Sequence, residues 1–169
     1  MRMLMYDNPV ALWRQTVQEA EGHCAVTLKK ELETYLITLL DQYTHKPELV
    51  KQIFAVTFLE AQANHDELAL QKTGDQCLLF TGLFPHAVEK RLVTMSYFVQ
   101  LGQLSYLSLA EHIHDDFFTA LANEFVTLMD VLQSIRMDHE LLPLEAYEQW
   151  HELGSKRALK ILQSYTQNR

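Results

Sequence analysis

Glycine and proline are scarce in this chain, five and four among 169 residues. No Ser-, Gly- or Pro-rich stretch divides it, which excludes a flexible linker, and no repeat of solenoid period is present. Cysteine is rarer still. Cys24 and Cys77 form no CxxC pair, so a disulfide scaffold is excluded and two buried free thiols are expected. Basic residues are in deficit, with 14 Lys and Arg against 22 Asp and Glu and a net charge of −8. Phosphate neutralisation needs the opposite balance, so nucleic-acid binding is not expected. The local exception follows Glu152, where Lys156, Arg157, Lys160 and Arg169 occur without an acidic residue. That stretch reads as a solvated helix face, with an anionic partner as the alternative.

The opening residues Met1–Asp7 lack an apolar core, so no signal peptide is expected and the cytoplasm is the expected compartment. Leu92–Ala110 carries no charge and has the length of a membrane span. Thr94, Ser96, Gln100, Gln103, Ser105 and Ser108 interrupt it, and these would be costly against lipid. It reads as the central helix of a bundle, not as a transmembrane segment. No G-x-S-x-G elbow, G-x-x-x-x-G-K-[ST] loop or G-x-G-x-x-G turn occurs, so nucleophilic catalysis and phosphate cradling lack their usual supports.

What the chain has in quantity is apolar residues at helical spacing, 48% hydrophobic overall. Asn8-Pro9 reads as a cap and first helical position, with Gly22 as the stop. Leu28, Leu32, Tyr35, Leu36, Leu39, Leu40 and Tyr43 step by three and four in a second helix that begins near Thr27. Pro47-Glu48 opens a third, with Leu49, Ile53, Phe54 and Val56 inward. Asp66 caps a short continuation to Lys72, Gly74-Asp75 restarts the pattern, and Gly82 ends it before Pro85. Val88, Leu92, Met95, Val99, Gly102, Tyr106, Leu109 and Ile113 mark the seam of the charge-free helix. Asp115 or Asp116 caps a sixth helix with Phe117, Leu121, Phe125, Leu128, Leu132 and Ile135 inward. Leu142-Pro143 is a turn, and helices near 144–152 and 155–166 flank Gly154. The fold expected over 1–169 is all-α: one domain, a bundle of six to eight helices around the charge-free one.

Two segments carry a resemblance. Gly74-Asp75-Gln76-Cys77-Leu78-Leu79-Phe80-Thr81-Gly82-Leu83-Phe84-Pro85 fits G-D-x-x-L-x-x-x-G-x-F-P. Tyr97 to Tyr106 fits Y-[YF]-V-x-x-G-x-x-[AS]-Y. Together they resemble a group of uncharacterised bacterial helical proteins. The resemblance implies a soluble bacterial protein and brings no catalytic residue or cofactor.

Two chemistries are open to the residues themselves. Gly102 and Ser105 are small positions on the central helix, and Tyr106 lies one turn beyond Gly102, over any gap that glycine leaves. Tyr97, Gly102, Tyr106 and His86 are the pocket candidates for a small apolar ligand, with tight helix packing as the alternative. The second is metal binding. Di-iron bundles use Glu-x-x-His pairs because residues three apart share a helix face. Glu111/His114 and Glu148/His151 have that spacing, with Glu60 and Asp115 as further carboxylates. His112 and His114, two apart on a helix, point in nearly opposite directions and do not share an ion.

The function expected is that of a protein-interaction or regulatory module without catalysis, acting on a protein partner or on a second copy as a homodimer. Its C-terminal helix, with Leu159, Leu162 and Tyr165, is the docking element. No cofactor is expected. The alternative is a metal-dependent bundle holding iron, manganese or zinc, or one that binds a small apolar ligand.

Overall fold

The computed structural model describes residues 8–46, 55–89, 94–135 and 143–167. All regular structure among them is helical, with no strand. Helices α1 (Pro9–Cys24) and α2 (Lys30–His45) form an N-terminal pair. Then come α3 (Ala55–Ala63), α4 (Glu67–Leu83), the short α5 (Pro85–Glu89) and α6 (Met95–Ile113). Helices α7 (Asp116–Asn123) and α8 (Phe125–Ile135) lead to a C-terminal hairpin of α9 (Pro143–Leu153) and α10 (Lys156–Gln167). Met1–Asp7, the start of the third expected helix at Pro47-Glu48 with Leu49, Ile53 and Phe54, and Leu92, Leu142 and Arg169 lie outside the described residues.

The starts follow capping chemistry. Asn8 Oδ1 accepts from Ala11 N at 3.2 Å, Asp66 Oδ1 from Ala69 N at 3.1 Å, and Asp115 Oδ1 from Phe117 N at 2.9 Å. Each satisfies an amide that the helix leaves unpaired. The stops agree less well with the sequence pattern. Helix α1 runs past Gly22 to Cys24, and Ala25 takes the left-handed cap at φ 55°. Buried Glu21 holds the departing chain there by accepting from Leu28 N at 2.7 Å, which delays the start of α2 to Lys30. Helix α4 is continuous through Gly74 and extends one residue beyond Gly82, because burial on both sides outweighs glycine's weak helix propensity. The expected sixth helix is two: α7 ends at Asn123 and is capped by Glu124, whose N–H donates to Ala120 O at 2.9 Å, and α8 begins at Phe125.

Helices α4 and α6 pack most extensively on each other, so the charge-free helix shares the centre with a partner. Helix α8 packs against α4 and α1, α7 against α6, and α2 against α1. One apolar cluster joins Val17, Leu36, Leu78, Tyr106, Phe125 and Leu132. The central pair approaches closely where glycine allows it. A Cβ built on Gly74 would lie 2.5 Å from the Tyr106 ring, and one on Gly102 would lie 2.5 Å from Phe125 and 2.9 Å from Cys77 Cβ. Gly102 therefore leaves no gap for Tyr106 to cover, since the Phe125 ring fills it. No helix among the described residues is long and apolar enough to cross a membrane.

A buried carboxylate fastens the C-terminal hairpin to this core. Asp130, 2% exposed on α8, accepts from Ser155 Oγ at 2.6 Å and from Arg157 N at 3.4 Å. Ser155 in turn caps α10 by accepting from Ala158 N at 3.0 Å. Arg157 Nη1 donates to Gln133 Oε1 at 2.8 Å. The N-terminus of α10, which favours negative charge, thus sits on an aspartate borrowed from α8. Burial raises the Asp130 pKa to about 6, against the lowering effect of Ser155 and the α10 amides.

Candidate functional site

A second sunken carboxylate lies where α2, α4 and α6 meet. Asp75 falls in the middle of α4, beside an apolar run from Cys77 to Phe80 in which all four residues are buried. A carboxylate placed there must find donors or lose its charge. It finds two: Tyr35 Oη of α2 donates to Asp75 Oδ1 at 2.5 Å, and Tyr106 Oη of α6 donates to the same oxygen at 2.7 Å. Gln71, one turn back on α4, donates through Nε2 to Tyr35 Oη at 3.1 Å. The Tyr106 ring reaches this position because it packs directly against Gly74, where any side chain would displace it.

The rings are held as firmly as the hydroxyls. Tyr106 is fully buried and packs against Phe118 and Phe125 at centroid distances of 6.1 Å. Tyr35 packs against Phe117 at 5.5 Å and Phe118 at 6.2 Å. Burial pushes the Asp75 pKa up to about 7, with the two tyrosine hydrogen bonds opposing it. The tyrosines are displaced further upward, first by burial and then by the neighbouring Asp75 charge. Both hydroxyls therefore remain protonated donors.

Above Asp75 is a cleft of about 320 Å³ between α2 and α4. Leu39, Leu68 and Leu79 supply its apolar walls, Gln42, Gln71 and Gln76 its amides, and Lys72 part of its rim. Asp75 is half-buried and lines the cleft. Both tyrosines use Oδ1, so Oδ2 is the oxygen left to whatever enters. Leu68 at the rim is 78% exposed.

The described pocket candidates Tyr97, Gly102 and Tyr106 do not share one pocket. Tyr106 joins Asp75, while Gly102 is closed by Phe125. Tyr97 is exposed in the first turn of α6, its ring against Phe98, and lies roughly 13 Å from Tyr106 along the helix axis at 1.5 Å per residue. His86 is on the short α5, and its side chain lies outside the described residues.

The metal candidates do not assemble into a ligand group of three among the described residues. Glu111 is exposed near the end of α6. His114 has left the helix as its left-handed cap at φ 53°, which breaks the shared face that three-residue spacing supplies. Glu148 and His151 are exposed on α9, where His151 stacks on Tyr147. Among the described residues no group of three or more His, Cys, Asp or Glu side chains is placed to hold a metal. The thiols are free and buried, and burial pushes both up in pKa.

Asp75 escapes a sequence reading because it looks like a helix restart after Gly74. The signal available was an acid flanked by buried positions, together with two tyrosines on apolar faces. Comparison with family models, with curated proteins and with solved structures finds no match to this chain.

Proposed function

We propose that this is a bacterial cytoplasmic binding module that uses the α2–α4 cleft to take an alkylammonium group. Such a group is carried equally by a small amine or by a lysine side chain of a protein partner. One observation carries the reading: Asp75 lines an apolar-walled cleft while Tyr35 and Tyr106 both donate to its Oδ1, which leaves Oδ2 without a donor among the described residues. The leucines suit a methylene stem and the carboxylate suits its charged end. A cation there would also draw the Asp75 pKa down from about 7, so binding would fix the ionised form. The cytoplasmic placement rests on two buried thiols, Cys24 and Cys77, which suit a reducing compartment.

The apolar side of α10 is partly used within the hairpin, where Ile161 and Leu162 pack against Ala146 and Ala158. A partner chain is therefore better served by the cleft than by α10. A second reading, general-base catalysis, is favoured by a carboxyl that titrates near neutrality inside a cleft.

The test is calorimetric titration with n-alkylamines of increasing length. Affinity is expected to rise with each methylene until the cleft is filled, and to vanish in Asp75→Asn. Equal binding of the matching alkyl carboxylates, or amine binding that survives Asp75→Asn, would sink the proposal. Chemical alteration of a bound amine by the wild type alone would favour the second reading.

A further inference from the structure

The charge-bearing cluster at the far end of α6 has a different chemistry. We infer that His65 and His112 form a binding site for a divalent transition-metal ion of the zinc or copper type. The two residues are remote in sequence, and neither belongs to a Glu-x-x-His pair. His65 Nδ1 and His112 Nε2 lie 3.0 Å apart. Two imidazole nitrogens on one tetrahedral zinc, each at about 2.0–2.1 Å, are separated by roughly 3.3 Å. An opening of about 0.3 Å therefore turns this contact into a chelate edge. The rings meet edge-on, with centroids 4.7 Å apart and planes at 66°, so an ion reaches both nitrogens without parting a stack.

Backbone geometry fixes each ligand independently. His65 occupies the left-handed turn between α3 and α4 at φ 52°. The turn is closed by Asn64 N donating to Glu60 O at 2.9 Å and Asp66 N donating to Ala61 O at 2.8 Å. His112 lies in the last turn of α6, beside Ile113, which packs on the core. Its Nδ1 is sealed from solvent without a partner, so Nε2 is the ring nitrogen an ion can reach. His65 is exposed and His112 half-buried, which leaves the remaining coordination positions to water. Without metal, one N–H joins the two nitrogens. When an ion binds, the donating ring takes the tautomer with its proton on the other ring nitrogen, so each neutral imidazole offers a lone pair and no net proton is lost. Imidazole pairs favour copper and zinc over calcium and magnesium, which take oxygen ligands.

The experiment titrates the tag-free full chain, freed of metal by chelator, with zinc alone by calorimetry. One ion per chain is expected, bound about tenfold or more weakly when either ligand is lost. His65→Asn keeps a residue that tolerates the left-handed turn, and His112→Gln keeps a polar side chain, so each removes a ligand with little strain. Joint replacement of Glu111, His114, Glu148 and His151 by Ala is expected to leave zinc affinity unchanged. Copper loaded at one equivalent should show two nitrogen donors in its electron paramagnetic resonance spectrum. Absence of zinc binding, affinity untouched by both single variants, or loss only in the fourfold variant would overturn the inference.

Discussion

Asp75 and Asp130 are the same residue in similar surroundings, yet the fold gives them opposite tasks. Both are mid-helix, both are packed deeply enough to raise their pKa values, to about 7 and about 6, and both accept from neutral donors. Asp130 spends its two oxygens on another helix: Ser155 takes Oδ1 and an α10 amide takes Oδ2. Asp75 receives both donors on one oxygen and lines a cleft. A saturated buried carboxylate is a fastener, whereas a half-saturated one beside open space is a binding group. What separates them is the geometry of their donors together with exposure, since Asp130 is 2% exposed and Asp75 only half-buried.

The comparison breaks most severely at Asp130. Asp130→Ala strands the Ser155 hydroxyl and weakens the cap of α10, and urea unfolding should show a loss of about 3 kcal/mol. An unchanged midpoint would mean that the hairpin does not depend on this carboxylate. Removing α10 at Gly154 takes away the same donors, so a truncation that failed would not by itself reveal a docking role.

Next comes the glycine that seats Tyr106. Gly74→Ala drives a methyl into the ring and should cost about 1–3 kcal/mol, with a changed near-ultraviolet dichroism as the tyrosine moves off Asp75. Gly22→Ala is the control. Gly22 is a helical position with nothing within 4 Å of its built Cβ, and alanine there should stabilise by up to about 1 kcal/mol. Equal responses from the two would show that the Gly74–Tyr106 contact is not tight.

The smallest effect on stability is expected at Asp75 itself. Asp75→Asn retains an oxygen that accepts from both tyrosines, so its stability at pH 5 should stay within about 1 kcal/mol of wild type. Its signature lies in the pH profile. The folded pKa values of Asp75 and Asp130 lie above the ordinary 3.8, so between about pH 4 and 7 the folded chain binds more protons than the unfolded one. The stability these groups contribute is full below pH 4 and is lost as pH rises through 6 and 7. Glu21, raised to about 7 chiefly by burial, acts in the same direction. Asp75→Asn should therefore flatten the decline between pH 5 and 8 in thermal melts. A slope identical to wild type would show that Asp75 does not titrate in that window.

Most of the helices were legible without coordinates because their signals are local. Asn8, Asp66 and Asp115 cap as their positions imply, and the apolar spacing from Leu32 to Leu40 marks the buried face of α2. The stops were less legible. Gly22 and Gly74 look like breaks, but tertiary contacts carry the helix through Gly74, and Glu21 moves the next start to Lys30. The sites were the least legible. Glu111/His114 and Glu148/His151 share a spacing that suggests a metal, but the cap geometry at His114 breaks its pair's shared face and no group of three ligands forms among the described residues. His112 instead meets His65, 47 residues away, and Asp75 meets Tyr35 and Tyr106, 40 and 31 residues away.

The sequence by itself determined the all-helical class, the starts of the main helices and which faces are apolar, because these depend on neighbours within a turn or two. Only the tertiary structure decided which polar groups meet. A hydrogen bond or a metal chelate needs atoms placed within a few tenths of an ångström, and that placement comes from helices packed on one another. No single helix contains it.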